Sequence, residues 1–154
     1  AREGMDMHLN LKSDCNALYP LVKALIDANI KITALRDATR GGVSAVLNEW
    51  AKQSNICIEV EEEQIPISDE VKGICEMLGF EATNLANEGT FLLAIKKDDA
   101  AKAIEVLHKF EEAKNACIIG KVTAQYPQKV ILNSSWGTKR FLDTPTGELL
   151  PRIC

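Results

Sequence analysis

Apolar residues along this chain switch repeatedly between helical spacing and short β-prone runs, and that alternation restricts the fold more than any other feature. Leu18, Leu21, Val22, Leu25 and Ile26 recur at helical spacing, so an amphipathic helix is predicted, with Pro20 tolerated in its first turn. Residues 30–35 then alternate as a short strand does. Val43, Val46, Leu47, Trp50 and Ala51 fall on one face of a second helix that starts just after Gly41-Gly42. Residues 56–60 predict the next strand. Ser68 followed by Asp69 and Glu70 makes a helix start, with Val71, Ile74, Cys75 and Leu78 as the buried stripe and Gly79 as the stop. A strand is predicted over 90–95, a helix capped by Asp98 through Ala100, Ala103, Ile104 and Leu107, and two further strands over 116–122 and 129–132. From Ser134 onward turn-forming residues take over, among them Trp136-Gly137, Pro145, Gly147 and Pro151, and a tail without periodicity is expected. Helices alternating with strands predict an α/β (α+β) domain, a mixed β-sheet covered by helices, over residues 1–142, with a flexible tail over 143–154.

A domain of 154 residues buries enough surface to need neither disulfides nor a structural metal. Its five cysteines fit that reading: Cys15, Cys57, Cys75, Cys117 and Cys154 are odd in number, widely spaced and without a C-x-x-C pair. Cys75, Cys117 and Cys57 are expected to be buried and inert, and Cys15 to be a small buried hydrophobe. His8 and His108, the two histidines, have no spaced ligand partner, so no metal site is expected. The net charge of -4 argues against a nucleic-acid surface. No apolar run approaches a membrane span and no signal peptide is apparent, so a cytoplasmic protein without a membrane is expected. The opening Ala1-Arg2-Glu3-Gly4 lacks an initiator methionine, as expected of a piece of something longer.

Three stretches could carry chemistry. In Arg36-Asp37-Ala38-Thr39-Arg40-Gly41-Gly42, between a predicted strand and a predicted helix, the glycines permit close backbone approach, the helix start offers N–H groups to an anion and two arginines add positive charge. A phosphate-facing loop and a tight turn with an N-cap both fit that string. Asn84-Leu85-Ala86-Asn87-Glu88-Gly89 places a carboxylate just before a buried strand, where it serves either as a general base or metal ligand or as a solvated side chain. The last stretch, 147–154, ends on a sterically free thiol at Cys154, whose neighbouring α-carboxylate and Arg152 act on its ionisation in opposite directions.

These stretches, in this order, resemble the C-terminal half of the HypE hydrogenase maturation proteins, within the superfamily of aminoimidazole ribonucleotide synthetase and selenophosphate synthetase. The resemblance rests on Arg2-Glu3-Gly4, Ser13-Asp14-Cys15, the 36–42 string with Leu47-Asn48-Glu49, Ile65-Pro66-Ile67, Cys75-Glu76-Met77-Leu78-Gly79, Ala86-Asn87-Glu88-Gly89, Ile119-Gly120-Lys121-Val122 and Leu150-Pro151-Arg152-Ile153-Cys154. It covers essentially the whole chain, and Pro-Arg-Ile-Cys is its most specific part. Ala38 stands where proline is common.

The resemblance implies a domain of the aminoimidazole ribonucleotide synthetase C-terminal type. It also implies an activity: ATP-dependent dehydration of an S-carboxamide on Cys154 to a thiocyanate, which supplies the cyanide ligand of the iron in nickel-iron hydrogenase. Cys154 is then the carbamoyl and cyano acceptor, Glu88 the candidate base, and Arg36, Asp37, Thr39, Arg40, Gly41 and Gly42 the phosphate-facing loop. ATP and Mg2+ are the implied cofactors, held mostly by an N-terminal domain that this chain lacks. The implied partners are the carbamoyltransferase HypF and the HypC-HypD complex, with a homodimer in the full-length protein and little activity in the isolated domain. Two other functions fit the same residues, a carbamoyl carrier or interaction module without catalysis, and a small-molecule synthetase of the same superfamily.

Overall fold

The computed structural model describes residues 13–145. Its elements run α1 (Tyr19–Asp27), β1 (Ile32–Asp37), α2 (Gly42–Ser54), β2 (Cys57–Glu61), α3 (Asp69–Leu78), β3 (Phe91–Ile95), α4 (Ala100–Leu107), β4 (Gly120–Thr123), β5 (Lys129–Asn133) and β6 (Lys139–Phe141). The expected combination of helices with mixed β-structure is present, divided between two sheets. β1 and β3 form an antiparallel pair, with Asp37 opposite Phe91. The other strands lie in the order β4-β2-β5-β6, where only β2 and β5 run parallel.

Each sheet has its own apolar centre. α2 lays Val46, Leu47 and Ala51 on Ile58, Val60, Val130 and Leu132 of the four-stranded sheet. α1 and α4 meet through Leu21, Leu25, Ala103, Val106 and Leu107, with Ile32, Phe91, Leu93 and Ile95 of the strand pair packed on them. Alternation along β3 links the two: Leu92 joins the first centre while Phe91 and Leu93, pointing the other way, join the second. Full burial of a leucine such as Leu25 contributes on the order of 2 kcal/mol. Within β2, Glu59 is buried beside Ile58 and Val60, and the ammonium of Lys121, directly across the β2–β4 pair, lies 3.6 Å from its carboxylate.

The helix boundaries follow local chemistry. Ser68 caps α3 by accepting from the Val71 N–H, and Gly79 ends it in the left-handed region at φ +69°. Four expectations are corrected. Asp98 does not cap α4: it sits inside a 3₁₀ turn, Lys97–Asp99, and the Asp99 that precedes the helix makes no side-chain cap bond. The strand expected over 116–122 is confined to Gly120–Thr123, because the chain is still closing a turn at Ala116, whose N–H donates to Ala113 O. β6 lies where only turns were expected; its ladder to β5 depends on backbone partners, and its three exposed residues carry no apolar alternation.

The fourth correction concerns the thiols. Cys57 and Cys75 are buried as expected, but Cys15 and Cys117 are exposed. Cys15 precedes α1 on an irregular surface segment, and Cys117 lies in the loop before β4, where its thiol donates to Gln64 O at 2.9 Å. Desolvation still pushes the Cys75 and Cys117 thiols above their ordinary pKa. Among the described residues no helix is long and apolar enough to cross a membrane.

Candidate functional site

The 36–42 string carries the chain out of β1, at the edge of one apolar centre, and into α2, which covers the other. Its midpoint is fixed by Ala38, which is fully buried, donates its N–H to Thr90 O at 2.9 Å and accepts from the Asn87 N–H at 2.9 Å. A proline here could not make the first of these bonds, so alanine adds a tie to the 87–90 loop. Arg36 turns along α2 to pair with Glu49. Arg40 is exposed and forms no ion pair among the described residues, while Asp37 is exposed and Thr39 half-buried.

Both glycines adopt left-handed backbone, with φ +71° at Gly41 and +59° at Gly42. A Cβ on Gly42 would stand 2.4 Å from Leu85 O and 2.6 Å from Thr83 O, so the start of α2 packs backbone to backbone against the 82–85 segment. The turn reading of this string is therefore sufficient to explain the glycines. What remains for an anion is the start of a 13-residue helix whose N-cap, Gly41, supplies no side chain, with the exposed Arg40 next to it. That chemistry fits the phosphate end of a nucleotide. Among the described residues no group of three or more His, Cys, Asp or Glu side chains stands together as a metal ligand set.

Glu88 follows a 3₁₀ turn, Ala82–Asn84, and precedes β3; its side chain is exposed. The loop around it is fixed by three hydrogen bonds, two to other segments and one within the loop. Asn87 N–H reaches Ala38, Asn87 Oδ1 accepts from Gly89 N–H at 3.0 Å, and Glu88 N–H donates to Asp14 Oδ2 at 2.9 Å. The structure thus joins the 36–42 string, the 84–89 string and the Ser13-Asp14-Cys15 segment in one place.

A third path leads to the same place. Leu142 is buried, its N–H donates to Val130 O and its carbonyl accepts from Asn48 Nδ2 at 2.8 Å, while the same amide donates to Ser44 O at 2.9 Å. Lys52 donates to the Thr144 hydroxyl at 3.1 Å, and the Pro145 ring comes within 3.5 Å of where a Cβ on Gly41 would stand. The chain leaving β6 therefore runs back along α2 toward its N-terminus. A groove lined by Glu81, Asn84, Arg140 and residues 141–145 opens beside this path, bridged by an Arg140–Glu81 ion pair at 2.7 Å. Cys154 and the rest of the expected tail, 146–154, lie outside the described residues.

Sequence reasoning did not assign a role to Asp14 or Asn48. Asn48 left a usable signal, an amide of poor helix propensity beside the apolar stripe of a predicted helix. Asp14 left none, because its partner is 74 residues away.

Residues 4–133 match the family described as AIR synthase related protein, C-terminal domain. The chain belongs to that family. Over 153 residues it is 42% identical to the carbamoyl dehydratase HypE of Escherichia coli, covering 99% of this chain and 45% of that protein. A crystal structure of the hydrogenase maturation protein HypE in complex with ATP superposes with a TM-score of 0.90 at 32% identity, covering 99% of this chain and 47% of that one. HypE in a HypE–HypF complex gives 0.85 at 37% identity, over 94% of this chain and 47% of that one. The resemblance to HypE drawn from scattered strings therefore extends through the whole chain and its fold, and the AIR synthase C-terminal architecture is confirmed. The chain spans about half the length of the relatives it matches.

Proposed function

We propose that this chain serves as the C-terminal-type domain of a HypE-like carbamoyl dehydratase acting in nickel-iron hydrogenase maturation. The observation that supports this reading is the convergence of three segments: the exposed Glu88, the uncapped start of α2 and the chain leaving at Pro145 are tied together by hydrogen bonds and backbone packing. Cys154 is the ninth residue after Pro145, and so short a segment spans at most about 30 Å. That reach suits a thiol which must be presented near Glu88 and also to partner enzymes. In this reading residues 1–142 form the domain and 143–154 the tether, rooted by Thr144 and Pro145.

The reaction converts a carboxamide on the Cys154 sulfur into a nitrile with net loss of one water. ATP supplies a phosphoryl group that turns the amide oxygen into a leaving group. Glu88 takes up one proton from the amide nitrogen as the amide oxygen is phosphorylated and ADP departs, and the second leaves with the phosphate as the C–O bond breaks and the C≡N bond is completed. Arg40 and the start of α2 face the phosphates, with Asp37, Thr39, Gly41 and Gly42 shaping that loop. Arg36, engaged by Glu49, braces the loop from the α2 side. Mg2+ and most nucleotide contacts are assigned to a separate N-terminal domain, so these residues alone are expected to turn over little ATP. The carbamoyl donor is HypF, the acceptor of the product is the HypC-HypD complex, the full-length protein is a homodimer and the compartment is the cytoplasm.

The test is intact mass of the full-length protein after incubation with the carbamoyltransferase, carbamoyl phosphate and ATP. Cys154 should gain a carbamoyl group and then lose one water, whereas Glu88→Gln should stop at the carbamoyl stage. Water loss by Glu88→Gln at the native rate would remove Glu88 from the mechanism. Carbamoylation of the native protein without any water loss would instead leave a carrier.

A further inference from the structure

Glu88 poses a problem of placement. A carboxylate on an exposed loop is free to swing, and a general base is useful only while it is held within hydrogen-bonding reach of the proton it removes. The side chain of Glu88 takes part in no ion pair or hydrogen bond among the described residues, so its position is set through its backbone. Asn87 ties the loop to Ala38 on one side. On the other side Glu88's own N–H has its partner in the Asp14 carboxylate, 2.9 Å away and delivered from 74 residues earlier in the chain.

The same contact is built a second time through the backbone. Gly89 lies so close to Asp14 that a Cβ there would stand 1.8 Å from Asp14 O, closer than any real side chain allows. The glycine at 89 is thus required by the approach of Asp14, not by its own backbone angles, which lie outside the left-handed region. Asp14 is exposed and forms no ion pair among the described residues, so a purely structural role in a core or a salt-bridge network does not account for it. A charged acceptor on a backbone N–H makes one of the stronger hydrogen bonds, short enough to hold the loop in one register.

We infer that Asp14 is a positioning residue for dehydration: its carboxylate, seated against Gly89, fixes the backbone of Glu88 so that the Glu88 carboxylate faces the reacting amide. This rests on the reading of Glu88 as the base. Asp14 takes no proton and touches no substrate. Its influence should therefore fall on the rate of water loss and leave carbamoyl acceptance by Cys154 unchanged.

The experiment follows single-turnover water loss from the carbamoylated full-length protein by intact mass, for Asp14→Ala, Asp14→Asn, Gly89→Ala and Glu88→Gln beside the native protein. Asp14→Ala should accept the carbamoyl group normally yet lose water about 10- to 100-fold more slowly, the scale of a misplacement near 1 Å. Asp14→Asn keeps an oxygen to receive the Glu88 N–H and should recover to within a few-fold of native. Gly89→Ala breaks the contact from the other side and should be slowed like Asp14→Ala. Amide exchange should quicken in the 85–90 segment of Asp14→Ala and stay unchanged in α2.

If Glu88→Gln is blocked while Asp14→Ala dehydrates at the native rate, the positioning role is overturned and the base assignment stands. If Glu88→Gln dehydrates at the native rate, the base assignment itself fails. An Asp14→Asn protein as slow as Asp14→Ala would also overturn the proposal, because charge rather than the hydrogen bond would then be what matters.

Discussion

The four-stranded sheet under α2 and the β1–β3 pair under α1 and α4 bury apolar side chains by the same means but leave different strands to the solvent. β2 lies between β4 and β5, and four of its five residues are buried. Among the described residues β1 has a single neighbour, and four of its six residues are exposed, Arg36 and Asp37 among them. A strand with neighbours on both sides is committed to the core. A strand with one neighbour can spend its last residues on a loop, and β1 uses that freedom to send the chain across to α2. The candidate site stands at this crossing, where Ala38 binds the loop before β3 to the loop before α2. The candidate site is placed on the seam between two packed regions, and each region supplies rigidity from its own side.

Cavity-forming substitutions put the distinction at greatest risk. Leu132→Ala and Leu25→Ala remove nearly identical, fully buried side chains from opposite regions, and each should cost about 2–5 kcal/mol in urea unfolding. Amide exchange should rise first in β2 and β5 for Leu132→Ala and in α1 and α4 for Leu25→Ala. A uniform rise throughout the molecule in both variants would show one cooperative core instead of two.

A smaller effect is expected in the 142–145 segment. Asn48→Ala leaves the Leu142 carbonyl without the donor that now satisfies it, at a cost of about 1–3 kcal/mol. The 142–145 segment should become more open to proteolysis while the β1–β3 pair keeps its exchange protection. Loss of protection in the strand pair would mean that Asn48 supports both regions.

The smallest effect concerns pH. Desolvation raises the pKa of Cys75 and Cys117 in the folded protein above the ordinary 9.0, so above that pH the unfolded chain gives up these protons first. Their contribution is intact below pH 9.0 and declines as the pH climbs through the raised folded values. The urea midpoint should therefore fall more between about pH 8 and about pH 10 in the native protein than in Cys75→Ala. An equal fall in the two would remove Cys75 from the alkaline response. At neutral pH the exposed Cys15 should be alkylated well before the buried Cys75.

Much of the fold could be read directly. Leu21 and Leu25, Val46, Leu47 and Ala51, and the Ser68 to Gly79 frame all carried their helices in local spacing and local caps, and the structure keeps them. The 36–42 and 84–89 strings were also visible, as loops between elements of known type. β6 was not visible, since an edge strand of three exposed residues is defined by whichever backbone lies beside it. The exposure of Cys15 and Cys117 was missed for a related reason: an apolar neighbourhood in sequence does not say which face of an irregular segment is covered.

By itself the sequence determined the helices, the principal strands, the turn glycines and the strings by which the chain resembles its relatives, because periodicity and capping act over a few residues and are written where they act. Tertiary structure alone decided that Asp14 meets Glu88 across 74 residues and that Asn48 meets Leu142 across 94. A hydrogen bond between distant residues costs the chain a closed loop and leaves nothing at either end that names its partner, so only the packed molecule reveals the pairing.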